Sequence, residues 1–141
     1  MKQLMNLAAV AALGAIAAGS IVYAQTPAPP EHIVSLYRAA PGHQAALLQW
    51  FAQQDRIAQA AGVAPMQLYV HTNGDSWDYM GINPVTTPDQ DAALDAAAKK
   101  LGLPTGPSVG LELRKHIAWH TDTYTVGPIS AAQALARVGQ Q

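Results

Sequence analysis

The run Met66-Gln67-Leu68-Tyr69-Val70-His71-Thr72-Asn73-Gly74-Asp75-Ser76-Trp77-Asp78-Tyr79-Met80-Gly81-Ile82 decides the fold. Two short segments rich in β-formers, 66–72 and 76–82, flank Asn73-Gly74, the residue pair best suited to the positive backbone angles of a two-residue hairpin turn. Such a turn sets Val70 opposite Trp77, Leu68 opposite Tyr79 and Met66 opposite Gly81, which gives one apolar face for helices to cover. Gln67, Tyr69, His71, Ser76, Asp78, Met80 and Ile82 then occupy the other, mixed face.

Upstream of this hairpin the period changes twice. His32 to Arg38 alternates and reads as a strand, closed by the turn signal Pro41-Gly42. From His43 to Ala61, Leu47, Trp50, Phe51, Gln54, Ile57, Ala58 and Ala61 recur at helical spacing, and Gly62 follows where a C-terminal cap belongs. Downstream, Thr87-Pro88-Asp89-Gln90 combines an N-cap, a proline in the first helical position and a capping-box glutamine, so the Ala-rich run to Leu101 is a second helix. Gly102 to Gly110 is expected as a connection. Leu111 to Val126 starts ambiguously, but Thr121, Thr123, Tyr124, Thr125 and Val126 favour a fourth strand. Ser130 to Val138 reads as a short closing helix with Ser130 and Gln133 as its capping box.

The order is β-α-β-β-α-β plus a C-terminal helix, an α+β, ferredoxin-like arrangement with both main helices on one sheet face. Over residues 31–126 this order and length resemble the dimeric α/β-barrel superfamily, which includes the antibiotic-biosynthesis-monooxygenase-like domains. The resemblance implies a homodimer in which two open sheet faces close on each other. It also implies a small apolar or aromatic ligand held between sheet and helices or within the barrel.

Alternation along the fourth strand separates Ile117 and Trp119 from His116, Ala118, His120, Asp122 and Tyr124. The expectation is that Trp77 and Trp119 face the helices, whereas His71 and His120 share the opposite face. Imidazoles titrate near neutrality and a carboxylate can orient them. His71, His120 and Asp78 are therefore the candidate catalytic groups, with Tyr69, His116, Asp122, Tyr124 and Trp50 as candidate ligand contacts. The competing interpretation makes the same residues an ordinary polar sheet face or dimer interface. His116 and His120 would pair on a helix, but on a strand their Cα atoms lie about 13 Å apart at ~3.3 Å per residue, too far for one metal ion, and no metal is assigned. The mature chain has no serine nucleophile elbow, phosphate-binding glycine loop or dinucleotide fingerprint, so no cofactor is expected. Two functions stay open: a non-catalytic small-molecule-binding or interaction protein, and a cofactor-independent monooxygenase-like enzyme that moves a proton through histidine.

The N-terminus sets the compartment. Lys2 precedes an apolar run from Leu7 to Ala18, and Val22-Tyr23-Ala24 has the small residues of a cleavage site, so residues 1–24 read as a signal peptide. Residues 25–30, with three prolines, form an extended tether, and 31–141 a single domain. The expected location is the periplasm or the exterior. Leu4 to Ala24 is also close to the ~20 apolar residues of a membrane span, and an uncleaved signal would be the chain's one link to a membrane. The chain lacks cysteine, so disulfides, thiol catalysis and a lipid anchor are out. Its 8 basic and 9 acidic side chains are dispersed, which argues against a nucleic-acid partner. Intact-mass analysis of an envelope fraction should find a chain beginning at Gln25; a membrane-bound chain retaining Met1 would establish the anchor instead.

Overall fold

The computed structural model describes residues 28–139; the signal segment and residues 25–27 of the tether lie outside them. The elements are β1 (Glu31–Ala39), α1 (Gln44–Ala61), β2 (Gln67–Val70), β3 (Tyr79–Pro84), α2 (Pro88–Lys100), α3 (Pro107–Arg114), β4 (Ile117–Val126) and α4 (Ala131–Val138). The four strands form one antiparallel sheet in the order β2-β3-β1-β4. This is the α+β ferredoxin-like topology.

Local chemistry places the helix ends. Gly62 closes α1 in the left-handed conformation, with φ of 69°, and its N–H reaches back to the last turn. Thr87 and Gln90 exchange reciprocal hydrogen bonds at the start of α2, and Ser130 and Gln133 do the same at α4. One expectation is corrected at 102–110: the second half of that connection is helical. Pro107 opens α3 behind Gly106, and the helix lays Leu113 against the core. Gly110 inside the turn hides this helix in the sequence.

β1 is a central strand, hydrogen-bonded on both sides, so its alternate residues point into the core. Tyr37 and Ala39 of β1, Tyr79 of β3, and Leu47 and Phe51 of α1 make the first buried cluster. Ile57 of α1 with Ala97 and Ala98 of α2 makes a second, where small side chains let the helices approach. Among the described residues no helix is long and apolar enough to cross a membrane.

Two register expectations are corrected. The hairpin does not turn at Asn73-Gly74 with Val70 opposite Trp77; Val70 pairs with Tyr79 and Leu68 with Gly81, two residues further on. Asp78 is drawn toward β1, its N–H donating to the Tyr37 carbonyl (2.8 Å) and its Oδ2 accepting from the Ala39 N–H (2.7 Å). The Arg38 guanidinium also donates to the Ser76 carbonyl and hydroxyl. These bonds hold 75–78 outside a tight turn. A slip of two residues keeps the paired side chains of 67–70 and 79–82 on their expected faces, but Trp77 and His71, expected on opposite faces, lie with their rings 4.7 Å apart.

In β4 the face assignment does change. Pairing runs regularly from Glu31↔Val126 to Arg38↔Trp119 and then jumps to Ala39↔Ile117, leaving Ala118 as an extra residue. This bulge reverses the alternation expected from Ile117 onward. Ile117 packs on the core, as expected, but Trp119 lies on the open face and is 45% exposed, whereas His120, Asp122 and Tyr124 stand on the helix side opposite Tyr37, Ser35 and Ile33. Replacing Phe51 with Ala should cost about 3–5 kcal/mol, because a wholly buried ring leaves a cavity. Trp119→Ala should cost clearly less. Urea denaturation checks the contrast, and equal losses would contradict the bulged register.

Candidate functional site

Between the sheet, α1, α2 and the approach to α3 lies a cavity of about 490 Å³. Its apolar wall comes from alternate residues of β1 (Ile33, Tyr37) and from the inward stripe of α1 (Trp50, Phe51, Ile57, Ala58). Met66, just before β2, and Leu94 of α2 add to it, and Pro104, Gly106 and Val109 close one side. The aromatic rings hold each other in place: Phe51 meets Tyr37 edge-on at 5.0 Å, Tyr79 at 5.8 Å and Trp50 at 5.6 Å. The polar lining is Gln54 and Asp55 of α1, Asn83 of β3, Thr86, and Asp91 and Asp95 of α2.

Of the eight residues singled out from the sequence, Trp50 lines this cavity and the other seven do not. His71 sits beyond β2 with its ring 4.7 Å from Trp77, and its Nε2 is buried without a hydrogen-bond partner among the described residues. Asp78 is committed to the Ala39 N–H, which makes it a fold-holding carboxylate. Tyr69 is 46% exposed, paired with Met80 on the open face, and Tyr124 is 75% exposed. His116 lies in the turn between α3 and β4, 5.8 Å from the His43 ring and 3.8 Å from Glu112 Oε1.

His120 and Asp122 do come together, and around partners absent from the sequence-based set. His120 Nε2 lies 3.6 Å from Asp122 Oδ2, Asp122 Oδ1 accepts a 2.6 Å hydrogen bond from the Ser35 hydroxyl, and the His120 ring stacks on Tyr37 at 6.0 Å and 10°. Tyr37 therefore joins two environments, walling the cavity and stacking on the His120-Asp122 pair. Its phenol is held above the usual tyrosine value mainly by burial; hydrogen bonding with Ser35 opposes the shift and the Asp122 charge adds to it. The phenol thus stays protonated across the physiological range and is available as a donor. His71 and His120 do not form one site, because they stand at the two outer strands, β2 and β4, with β3 and β1 between them.

Sequence reasoning missed Tyr37, Ser35 and the carboxylates Asp55, Asp91 and Asp95. Two signals were present. Ser35 is a polar residue at a core position of an otherwise apolar alternation, and it is 2% exposed. Asp55 follows Phe51 by four residues and precedes Ala58 by three, which puts a charge on the apolar stripe of α1.

A folded-state tyrosine value above the unfolded one adds stability that is complete below the ordinary value of about 10 and is lost as pH rises through the folded one. Stability should accordingly fall above about pH 10, and Tyr37→Phe should reduce that fall without abolishing it, because burial and then the Asp78 charge raise Tyr79 as well. Urea unfolding at pH 8 and pH 11 measures it; an unchanged slope in Tyr37→Phe would show that the Tyr37 phenol does not resist ionisation.

No family model matches the chain, and no curated protein matches it. Among solved structures it is similar to a dimeric protein of unknown function and ferredoxin-like fold from Bacteroides fragilis, at 11% identity and a TM-score of 0.45, over 69% of this chain and 95% of that one.

Proposed function

We propose that this chain is an exported small-molecule-binding protein that works as a homodimer, with its ligand in the cavity between sheet and helices. The observation that carries the reading is the cavity itself. At about 490 Å³ it falls in the range of small-molecule sites, and its wall of aromatic and aliphatic side chains with a few polar groups is the composition such sites have. The homodimer follows from the uncovered side of the sheet. Val34, Leu36, Met80 and Ile82 run across its centre, with the exposed Tyr69 and Trp119 toward its edges, on the side opposite the buried Tyr37 and Tyr79. An apolar sheet face left in water is what a second copy would cover.

A second reading, a cofactor-independent enzyme acting on a small aromatic substrate, draws on Tyr37. Its ring walls the cavity and stacks on His120, so a proton that the phenol donates would be replaced through Ser35, Asp122 and His120 close by. Binding without turnover separates the two readings.

Native mass spectrometry of protein taken from the envelope of the exporting cell should show a dimer carrying a small organic mass. Ala58→Leu, which adds volume to the cavity wall, should lose that mass while remaining dimeric. An empty monomer would overturn the proposal.

A further inference from the structure

Resting on the homodimer reading above, we infer that α4 is a dimer arm: the apolar stripe of α4 in each copy packs on the open sheet face of a second copy of this chain. Ala131, Ala134, Leu135 and Val138 stand at i, i+3, i+4 and i+7, so they share one side of the helix. That side faces outward. Leu135 and Val138 are each 72% exposed, the most exposed large aliphatic side chains among the described residues, and no residue of α4 is buried. The one α4 residue that is half-buried is Arg137, which lies off the stripe.

Such a helix does not support itself. Two turns fall short of the ~12–15 residues at which an isolated helix becomes even marginal in water, so its stability has to come from packing of the apolar side. The sequence nonetheless specifies it, through the stripe and through the reciprocal hydrogen bonds of Ser130 and Gln133. A membrane surface suits it poorly, because interfacial helices are rich in basic residues on their polar side and α4 carries only Arg137.

A second copy fits the stripe in area and in reach. The sheet face opposite the buried Tyr37 and Tyr79 carries Val34, Leu36, Met80 and Ile82, half-buried by their neighbours, and Tyr69 and Trp119, both nearly half exposed. These six side chains supply only part of the about 800 Å² that a standard interface takes from each partner, and Leu135 and Val138 add apolar area to it. The arm also starts in the right place. It leaves β4, the strand at the rim of this face, after residues 127–130, and the Gly127 N–H ties its root to the Pro30 carbonyl at 3.0 Å. Two sheets packed face to face lie about 10 Å apart, and a helix of eight residues is about 12 Å long, so an arm from the rim reaches the other copy. Two-fold symmetry makes the contact twice.

Sedimentation equilibrium of the full mature chain tests this, and the wild type should be a dimer at micromolar concentration. Leu135→Asp combined with Val138→Asp, and separately a chain ending at Ile129, should each raise the dimer dissociation constant at least about a hundredfold, because the arm contact is lost twice per dimer. Neither change should lower the urea midpoint of the dilute monomer, since α4 buries nothing within its own chain. To place the arm, Leu135→Cys and Thr123→Cys chains, otherwise free of cysteine, are mixed and treated with a short bis-maleimide. Thr123 pairs with Val34 on the open face, so a product joining the two different chains is expected. Variants that dimerise as tightly as the wild type, a lowered monomer midpoint, or the absence of the mixed product would overturn the arm and leave the homodimer standing. A wild-type chain that stays monomeric at these concentrations would overturn the homodimer reading, and this inference with it.

Discussion

The contact of Phe51 with Tyr37 and Tyr79 is the joint on which the rest of the molecule depends. It fixes α1 across the two central strands, and because those strands pair with β4 and β2 on their outer edges, the helix layer is positioned for the whole sheet. Edge-on aromatic packing is directional, so it sets the rotation of α1 as well as its distance. With Phe51 inward, Trp50 and Asp55 must also line the space between helix and sheet, and Arg56 must face water. The same geometry turns Val34, Leu36, Met80 and Ile82 to the second sheet face.

The fold was legible where local chemistry and periodicity agreed. The stripe of α1 with Gly62 behind it, the capping boxes at Thr87 and Ser130, and the alternation of β1 each point to one structure only, and together they determine the ferredoxin-like order. The failures have a common cause. The hairpin register was inferred from Asn73-Gly74, but the turn competes with hydrogen bonds that Asp78 and Arg38 make across the sheet, and the tertiary bonds win. The β4 bulge at Ala118 is likewise a response to the partner strand, and nothing at Ala118 itself marks it. A single extra residue there exchanges the environments of Trp119 and His120.

The candidate site was less legible, for a different physical reason. Histidines and acids on strands draw the eye because each is chemically conspicuous, and of that set the structure brings together the side chains of His120 and Asp122, whereas His71 and Asp78 meet through their backbones. The cavity is a volume, and a volume arises where side chains are missing. Ala58, Ala64, Ala98 and Gly106 help to line it, and in a sequence as rich in alanine as this one their positions do not stand out. Trp50 was recognisable because a large aromatic residue on a helix stripe is a wall wherever it sits. Asp55 was recognisable in principle, as the one charge interrupting that stripe.

One feature of the sheet bears on how such a cavity could be resized. Gly81, in the middle of β3, has an ordinary strand conformation, so it is not needed for backbone freedom; its lack of a side chain makes room for Met66, whose sulfur occupies the place a Cβ would take. Met66 is itself part of the cavity wall. Any side chain at 81 would lift that methionine toward the space a ligand would fill, and the flexible thioether would yield rather than break the sheet. Position 81 thus acts as a floor height, through which a single substitution below the cavity could retune the size of molecule accepted without altering a residue that touches it.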